Sequence, residues 1–125
     1  MAGRWDFTID QGTSWEFPVT INQNVNGVTS AFGLSGYSGR GQIRRHRRSP
    51  DVVTEFTVTI DPNPSTGKLT LSLTAEQTSN IPAGETVSDI SSRYVYDFEI
   101  YTANDADVRR ILEGFVYINP EVTKG

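Results

Sequence analysis

The sequence predicts an all-β fold: a single-domain two-sheet β-sandwich, Ig-like or jelly-roll-like, of about seven strands with one short helical turn. Three observations predict it. Apolar residues recur at every second position in several short runs, the period of half-buried strands. Clusters of Gly, Pro, Asn and Asp separate those runs as turns. One stretch, Thr74-Ala75-Glu76-Gln77, carries a helix-start signature.

The first strand follows from Trp5, Phe7 and Ile9 alternating with Asp6, Thr8 and Asp10, and it breaks at Gln11-Gly12-Thr13. In the second, Trp15, Phe17, Val19 and Ile21 alternate with polar residues and Pro18. Proline cannot donate to a ladder, which places this strand at a sheet edge or a bulge. A polar, Asn-rich turn spans Asn22 to Gly27. The third strand runs from Tyr37 to about Arg45, and its Gly39 and Gly41 point to a bulge or a close backbone approach. Phe56, Val58 and Ile60 share one face of a fourth strand, Thr54 to Asp61, and a strong turn follows through Gly67. Leu69, Leu71 and Leu73 form the inner face of the fifth. Thr74 then caps a helical turn that stops near Pro82-Ala83-Gly84, with Gln77 closing a capping box. Tyr94, Tyr96, Phe98 and Ile100 define the sixth strand, and Thr102 to Asp107 is a polar hairpin loop. Val108 to Ile118 is the seventh. Its Val108, Leu112, Val116 and Ile118 face one way and its Ile111, Phe115 and Tyr117 the other, as expected of a central strand. Residues 1–118 are expected to form the domain and residues 119–125 an extended tail that reaches a neighbour or frays.

A chain of 125 residues is long enough to bury a core without staples. Cysteine is absent, which removes disulfides and thiolate chemistry and fits assembly in a reducing cytoplasm. The net charge of −4 argues against nucleic acid as a general partner. No run approaches the roughly 18 apolar residues of a membrane helix, and the start Met1-Ala2-Gly3-Arg4-Trp5 does not read as a signal peptide.

The sharpest local feature is basic: Arg40, Arg44, Arg45, Arg47 and Arg48 surround His46, with no acid from 40 to 48. An unbroken strand would set Arg40, Arg44 and Arg48 on one face with Gln42 and His46. Such a stripe suits an acidic partner, inter-subunit salt bridges, a solvated hairpin tip or nucleic acid. No aromatic residue is interleaved with it, unlike a single-strand stacking platform. His46, the only histidine, has arginines rather than a nucleophile as sequence neighbours, so a triad is not expected. Asp97 and Glu99 share a strand face, and Asp105 and Asp107 follow in a loop. Paired carboxylates can serve glycoside hydrolysis or calcium, but a polar outer face accounts for them and the loop lacks EF-hand spacing. No catalytic residue, metal or cofactor is therefore assigned. Trp5, Trp15, Tyr94, Tyr96 and Tyr117 are read as core, although exposed aromatics could also form a sugar platform. Tyr101 departs from the inward register and is the candidate interface aromatic.

Several ordered motifs resemble small β-rich tail and baseplate-associated proteins of tailed bacteriophages. They are Asp6-Phe7-Thr8-Ile9-Asp10-Gln11-Gly12, Leu34-Ser35-Gly36-Tyr37 leading to Gln42-Ile43-Arg44, and the Gly67 to Thr78 stretch. Tyr94 to Glu99 and Arg110-Ile111-Leu112-Glu113-Gly114 through Pro120-Glu121-Val122-Thr123 complete the set. The resemblance covers nearly the whole chain and implies a virion structural role, in tail, baseplate or neck, with assembly in the host cytoplasm. Related modules fix fibres or receptor-binding proteins to a baseplate, and no fibre region follows the module here. The expected partners are further copies of the chain and other virion proteins. The expected interface is Arg40, Arg44, Arg45, Arg47, Arg48, Tyr101 and the tail with Glu121. A capsid decoration protein and a carbohydrate-binding module are the alternatives; an enzyme is not expected.

Overall fold

The computed structural model describes residues 3–83 and 92–121. Gly84 and residues 122–125 of the expected tail lie outside these. The fold is all-β with one short helix, as the alternation predicts. The strands are β1 Gly3–Arg4, β2 Phe7–Asp10, β3 Trp15–Thr20, β4 Asn22–Val25, β5 Val28–Ala31 and β6 Ser38–Arg44. They continue as β7 Val52–Ile60, β8 Lys68–Leu73, β9 Ser92–Tyr101 and β10 Val108–Asn119; helix α1 is Ala75–Ser79.

A two-sheet sandwich is not what forms. One main sheet runs β1–β10–β9–β6–β7–β8–β3, and β2 also pairs with β10. It curls into a half-barrel, while β4 and β5 make a separate hairpin. β1 and β2 lie parallel to β10, and the other neighbours are antiparallel. Two features bend the sheet. Gly39 and Gly41 present no side chain to the interior of β6. A Cβ at 39 would come within 2.3 Å of Val58, and one at 41 within 2.9 Å of Phe56 and Phe98. Interior strand glycines mark such barrel corners. Register shifts at Ile43/Arg44 and Arg110/Leu112 add local twist. Ile111 therefore falls at an irregularity and not on a regular face.

The core gathers the alternating positions Phe7, Ile9, Ile43, Phe56, Leu69, Leu71, Leu73, Tyr94, Tyr96, Phe98, Ile100, Val116 and Ile118, all buried. β3 ends the sheet, in keeping with Pro18. No backbone ladder joins it to β2 among the described residues. Aromatic rings fill that seam: Phe7 lies 4.9 Å from Trp15, 4.7 Å from Phe17 and 4.9 Å from Tyr96, between ring centroids. Trp5, expected inside, is 54% exposed and flanks the seam 6.1 Å from Phe17.

Gly114 allows the first segment to approach. Its Cβ would sit 2.2 Å from the Trp5 carbonyl. That carbonyl accepts from the Tyr96 hydroxyl at 2.6 Å, and Asp6 Oδ1 accepts the Phe115 amide at 2.9 Å, bridging the gap between β1 and β2. Burial pushes the Tyr96 phenol far above its ordinary pKa, so it stays a neutral donor.

Helix α1 has the expected capping box, with Gln77 N bonded to Thr74 Oγ1 at 3.1 Å and Thr74 N to Gln77 Oε1 at 2.9 Å. It covers one end of the barrel. Gln77 Nε2 donates to the Glu55 carbonyl at 2.8 Å on β7. Across the opening, buried Thr78 accepts the Gly12 amide at 3.0 Å and donates to the Thr13 carbonyl at 2.8 Å. The stretch Asn22 to Gly27 is not simply a turn. It holds β4 and a two-residue Asn26-Gly27 turn with positive φ at both residues, the geometry that an Asn-Gly pair favours in hairpins.

Two substitutions test this closure. Gly114→Val forces a side chain into the Trp5 carbonyl and should cost at least about 2 kcal/mol. Thr78→Val keeps the shape but strands the Gly12 amide, for about 1–3 kcal/mol. Urea unfolding of each variant against the parent measures both.

Candidate interface on the outer sheet face

The strand alternation that buries Tyr94, Tyr96, Phe98 and Ile100 turns Arg93, Val95, Asp97, Glu99 and Tyr101 outward. On β6, Gly41 and Ile43 are buried, so Arg40, Gln42 and Arg44 share that outer face. Strand pairing lines these residues up in rows. Arg40 sits opposite Glu99, and Glu99 opposite Arg110; Gln42 sits opposite Asp97, and Asp97 opposite Glu113. Arg44 is opposite Val95, and Val95 opposite Phe115; one step on, Arg93 is opposite Tyr117.

The rows divide the face into two poles. At the first, each arginine has carboxylate partners. Arg40 Nε reaches Glu99 Oε1 at 2.6 Å and Arg40 NH1 reaches Asp105 at 3.4 Å, with the guanidinium 4.2 Å over the Tyr101 ring. The hydrogen bond to Glu99 raises the Arg40 pKa further. Arg110 bridges Asp97 at 3.4 Å and Glu113 at 3.6 Å, and Arg47 reaches Glu113 at 3.7 Å. Asp97 and Glu99 are thus ion-pair partners on an outer face. Among the described residues no group of three His, Asp or Glu side chains is placed to hold a metal.

At the other end of the face, outward Arg44 and Arg93 make no ion pair among the described residues, and neither do Arg45 and Arg48, which follow the end of β6. Arg44 donates to the Ser49 carbonyl at 2.6 Å and to Gln42 at 2.8 Å. Arg45 donates to the Tyr94 hydroxyl at 2.8 Å and lies 5.0 Å from its ring centroid. Arg93 stacks 4.6 Å over Phe115, with Arg4 at 4.8 Å from the same ring. Arg48 and His46 are exposed in the turn that follows β6.

The single stripe expected of Arg40, Arg44 and Arg48 with Gln42 and His46 does not exist. β6 ends at Arg44 and the chain turns, so only Arg40, Gln42 and Arg44 keep the common face. Aromatics absent from the arginine run in sequence arrive from other strands: Tyr94 and Tyr101 from β9 lie beneath Arg45 and Arg40. Arg93 lies two residues beyond Val95, the β9 partner of Arg44, and on the same outward face, which no local pattern reveals. Glu121 belongs elsewhere. Its amide donates to Gln11 Oε1 at 3.1 Å, and its carboxylate fills the space over Gly12, where φ is +85°.

A further group outside the predicted set anchors the adjoining loop. Tyr37 donates to Asp107, Arg109 Nε donates to Asp107 at 3.1 Å, and the Arg109 guanidinium lies 5.0 Å from the Phe32 ring. The Tyr37 hydrogen bond, then Arg109, holds the Asp107 carboxyl below its ordinary 3.8. A depressed folded pKa contributes stability that is present above the ordinary value and lost as pH falls through the folded one. Acid melts of the parent should therefore show a loss below about pH 4 that Asp107→Asn flattens; parallel pH profiles for the two would discard the assignment.

No protein-family model and no curated protein matches the chain.

Proposed function

We propose that this chain is a structural subunit of a bacteriophage virion, in the tail, baseplate or neck, acting through symmetric contacts with its own copies and with other virion proteins. The motif resemblance supports the phage reading. The residues that carry it are those that build the barrel: buried Leu34, Gly36 at φ +82°, the Tyr37 clamp, the Leu69-Leu71-Leu73 core row and Gly114.

The observation that carries the contact role is the outer face. Charged and aromatic side chains concentrate on β6, β9 and β10, and two arginines there, Arg44 and Arg93, make no ion pair among the described residues. The outward positions of β7, β8 and β3 are instead mainly hydroxyls, such as Thr57, Thr59, Thr70 and Ser72. A charge-patterned face gives an interface its register and specificity. His46 is exposed in the turn that follows β6.

Antibody labelling of particles that carry the chain tests the role. Label on the tail, baseplate or neck is the expected result. Label spread over the capsid would move the chain to the decoration alternative, and particles without label would remove the virion role. On labelled particles, Arg44→Ala/Arg47→Ala should lower incorporation at low salt, and the difference from the parent should shrink at high salt, where the lost charge contacts are screened in both.

A further inference from the structure

We propose that the free edge of β5 pairs with the same edge of a second copy of this chain, so that two β4–β5 hairpins join into one four-stranded antiparallel sheet. The inference rests on the reading of the chain as one that assembles with its own copies, and it names one such contact.

The site is an open strand edge. β4 and β5 pair with each other and with no other strand among the described residues. All their residues except half-buried Ala31 are exposed. A two-stranded hairpin is marginal alone and gains from further strands. One bond shows which backbone groups are free. The Phe32 amide donates to the Ile21 carbonyl at 2.9 Å, so these two form a hydrogen-bonded pair. Pairs alternate along an antiparallel ladder, which makes Gln23/Ser30 and Val25/Val28 bonded and Asn22/Ala31 and Asn24/Thr29 not. The N–H and C=O groups of Thr29 and Ala31 therefore point away from β4. Gln23 Nε2 reaches the Ala31 carbonyl at 3.5 Å, a long contact that leaves a lone pair of that oxygen open. Natural edges are blunted by charge, proline or a bulge, and β5 has none of these. The β4 edge looks back on the barrel instead: Asn22 and Gln23, from opposite faces of β4, both line a groove of about 860 Å³ against Val108 to Ile111 of β10.

The hairpin is its own complement. Alternation sets Val25 with Val28, Gln23 with Ser30 and Ile21 with Phe32 on one face, so the face is apolar at the tip, polar in the middle and apolar at the base. The tip valines are 55% and 66% exposed. A two-fold axis at Ser30 sets Thr29 against Ala31 of the second copy, and the two such pairs complete four backbone bonds. The same axis sets Val28 against Phe32 of the second copy and the Gln23/Ser30 row against its own equivalent. Each tip is thereby covered by an apolar base. Charge agrees with this occupant. The chain is 21% charged with a net −4, yet no charged side chain falls from Phe17 to Gly39. Here two copies of an acidic chain meet without like charges facing each other. Val28 and Thr29 also favour strand pairing, which Asn22 and Asn24 do not. Equivalent edges meeting about a two-fold axis make an isologous contact, closed at two copies.

The chain has no cysteine, so one introduced thiol reports on one position. Across the axis Ser30 meets its own copy as a non-hydrogen-bonded pair, with Cα atoms about 4.5 Å apart, within the span of a disulfide. Under mild oxidation of the full chain, Ser30→Cys should give covalent dimer at least tenfold faster than Gln23→Cys, which is exposed on the same hairpin one strand further from the axis. Thr29→Pro removes an outward N–H and spares the β4–β5 ladder. Added to Ser30→Cys it should cut the rate at least tenfold, as should Val28→Lys, which puts charge into the contact. Thermal melts check that each variant keeps the fold. The contact holds no charge, so the rate should not fall from low to high salt. Equal rates for Ser30→Cys and Gln23→Cys, or a rate that neither Thr29→Pro nor Val28→Lys lowers, would overturn the proposal. Cross-linking stopped by Asn24→Lys and not by Thr29→Pro would also overturn it, in favour of the β4 edge. A chain that labels particles without this cross-link fails the inference alone. A cross-linking chain absent from particles fails the virion reading alone.

Discussion

Phe7 is held between Trp15, Phe17 and Tyr96, and that contact closes a sheet whose two ends share no backbone ladder among the described residues. β2 sits on β10 and β3 sits on β8, at opposite ends of the sheet order. Burial of these rings is what brings the ends together, since aromatic side chains carry the largest apolar areas in a core. Helix α1 then covers one mouth of the barrel, with its buried Thr78 bonded to the Gly12–Thr13 turn between β2 and β3. The backbone edges at the seam are screened by side chains and by this cap, which limits the edge-to-edge pairing that open strands invite.

The same closure decides the surface. Once Tyr94, Tyr96, Phe98 and Ile100 are committed to the interior, the alternate residues of β9 must face solvent or a partner. Neighbouring strands place Arg40, Arg44 and Arg110 against them. Ion pairs at one pole are exposed and contribute little stability by themselves. At the other end of the face Arg44 and Arg93 make no ion pair among the described residues, and Arg93 stands over Phe115 and opposite Tyr117.

Much of this was legible in the residues. Period-two runs located β2, β3 and β6 to β10, Thr74 and Gln77 announced the capping box, and Pro18 announced the edge strand. The β4–β5 hairpin was also legible, through Asn26-Gly27, and the polar composition around it hid the signal. Gly39 and Gly41 were readable as close approaches, but not as the corner that turns two expected sheets into one curled sheet. Corner and bulge look alike until the facing side chains, here Val58, Phe56 and Phe98, are in place.

The sequence by itself determined which residues are buried along most strands, where most turns fall, and that the chain is all-β. Those properties come from local alternation and local capping, which need no distant partner. Only the tertiary structure decided that one sheet curls into a half-barrel, that Trp5 stays exposed, and that the arginine run ends its common face at Arg44. It also brought Arg93 beside that run and paired Asp97 and Glu99 with arginines. Such neighbours are set by strand order and register, and strand pairing links residues more than fifty positions apart, such as Arg40 and Glu99, with no trace in the local pattern.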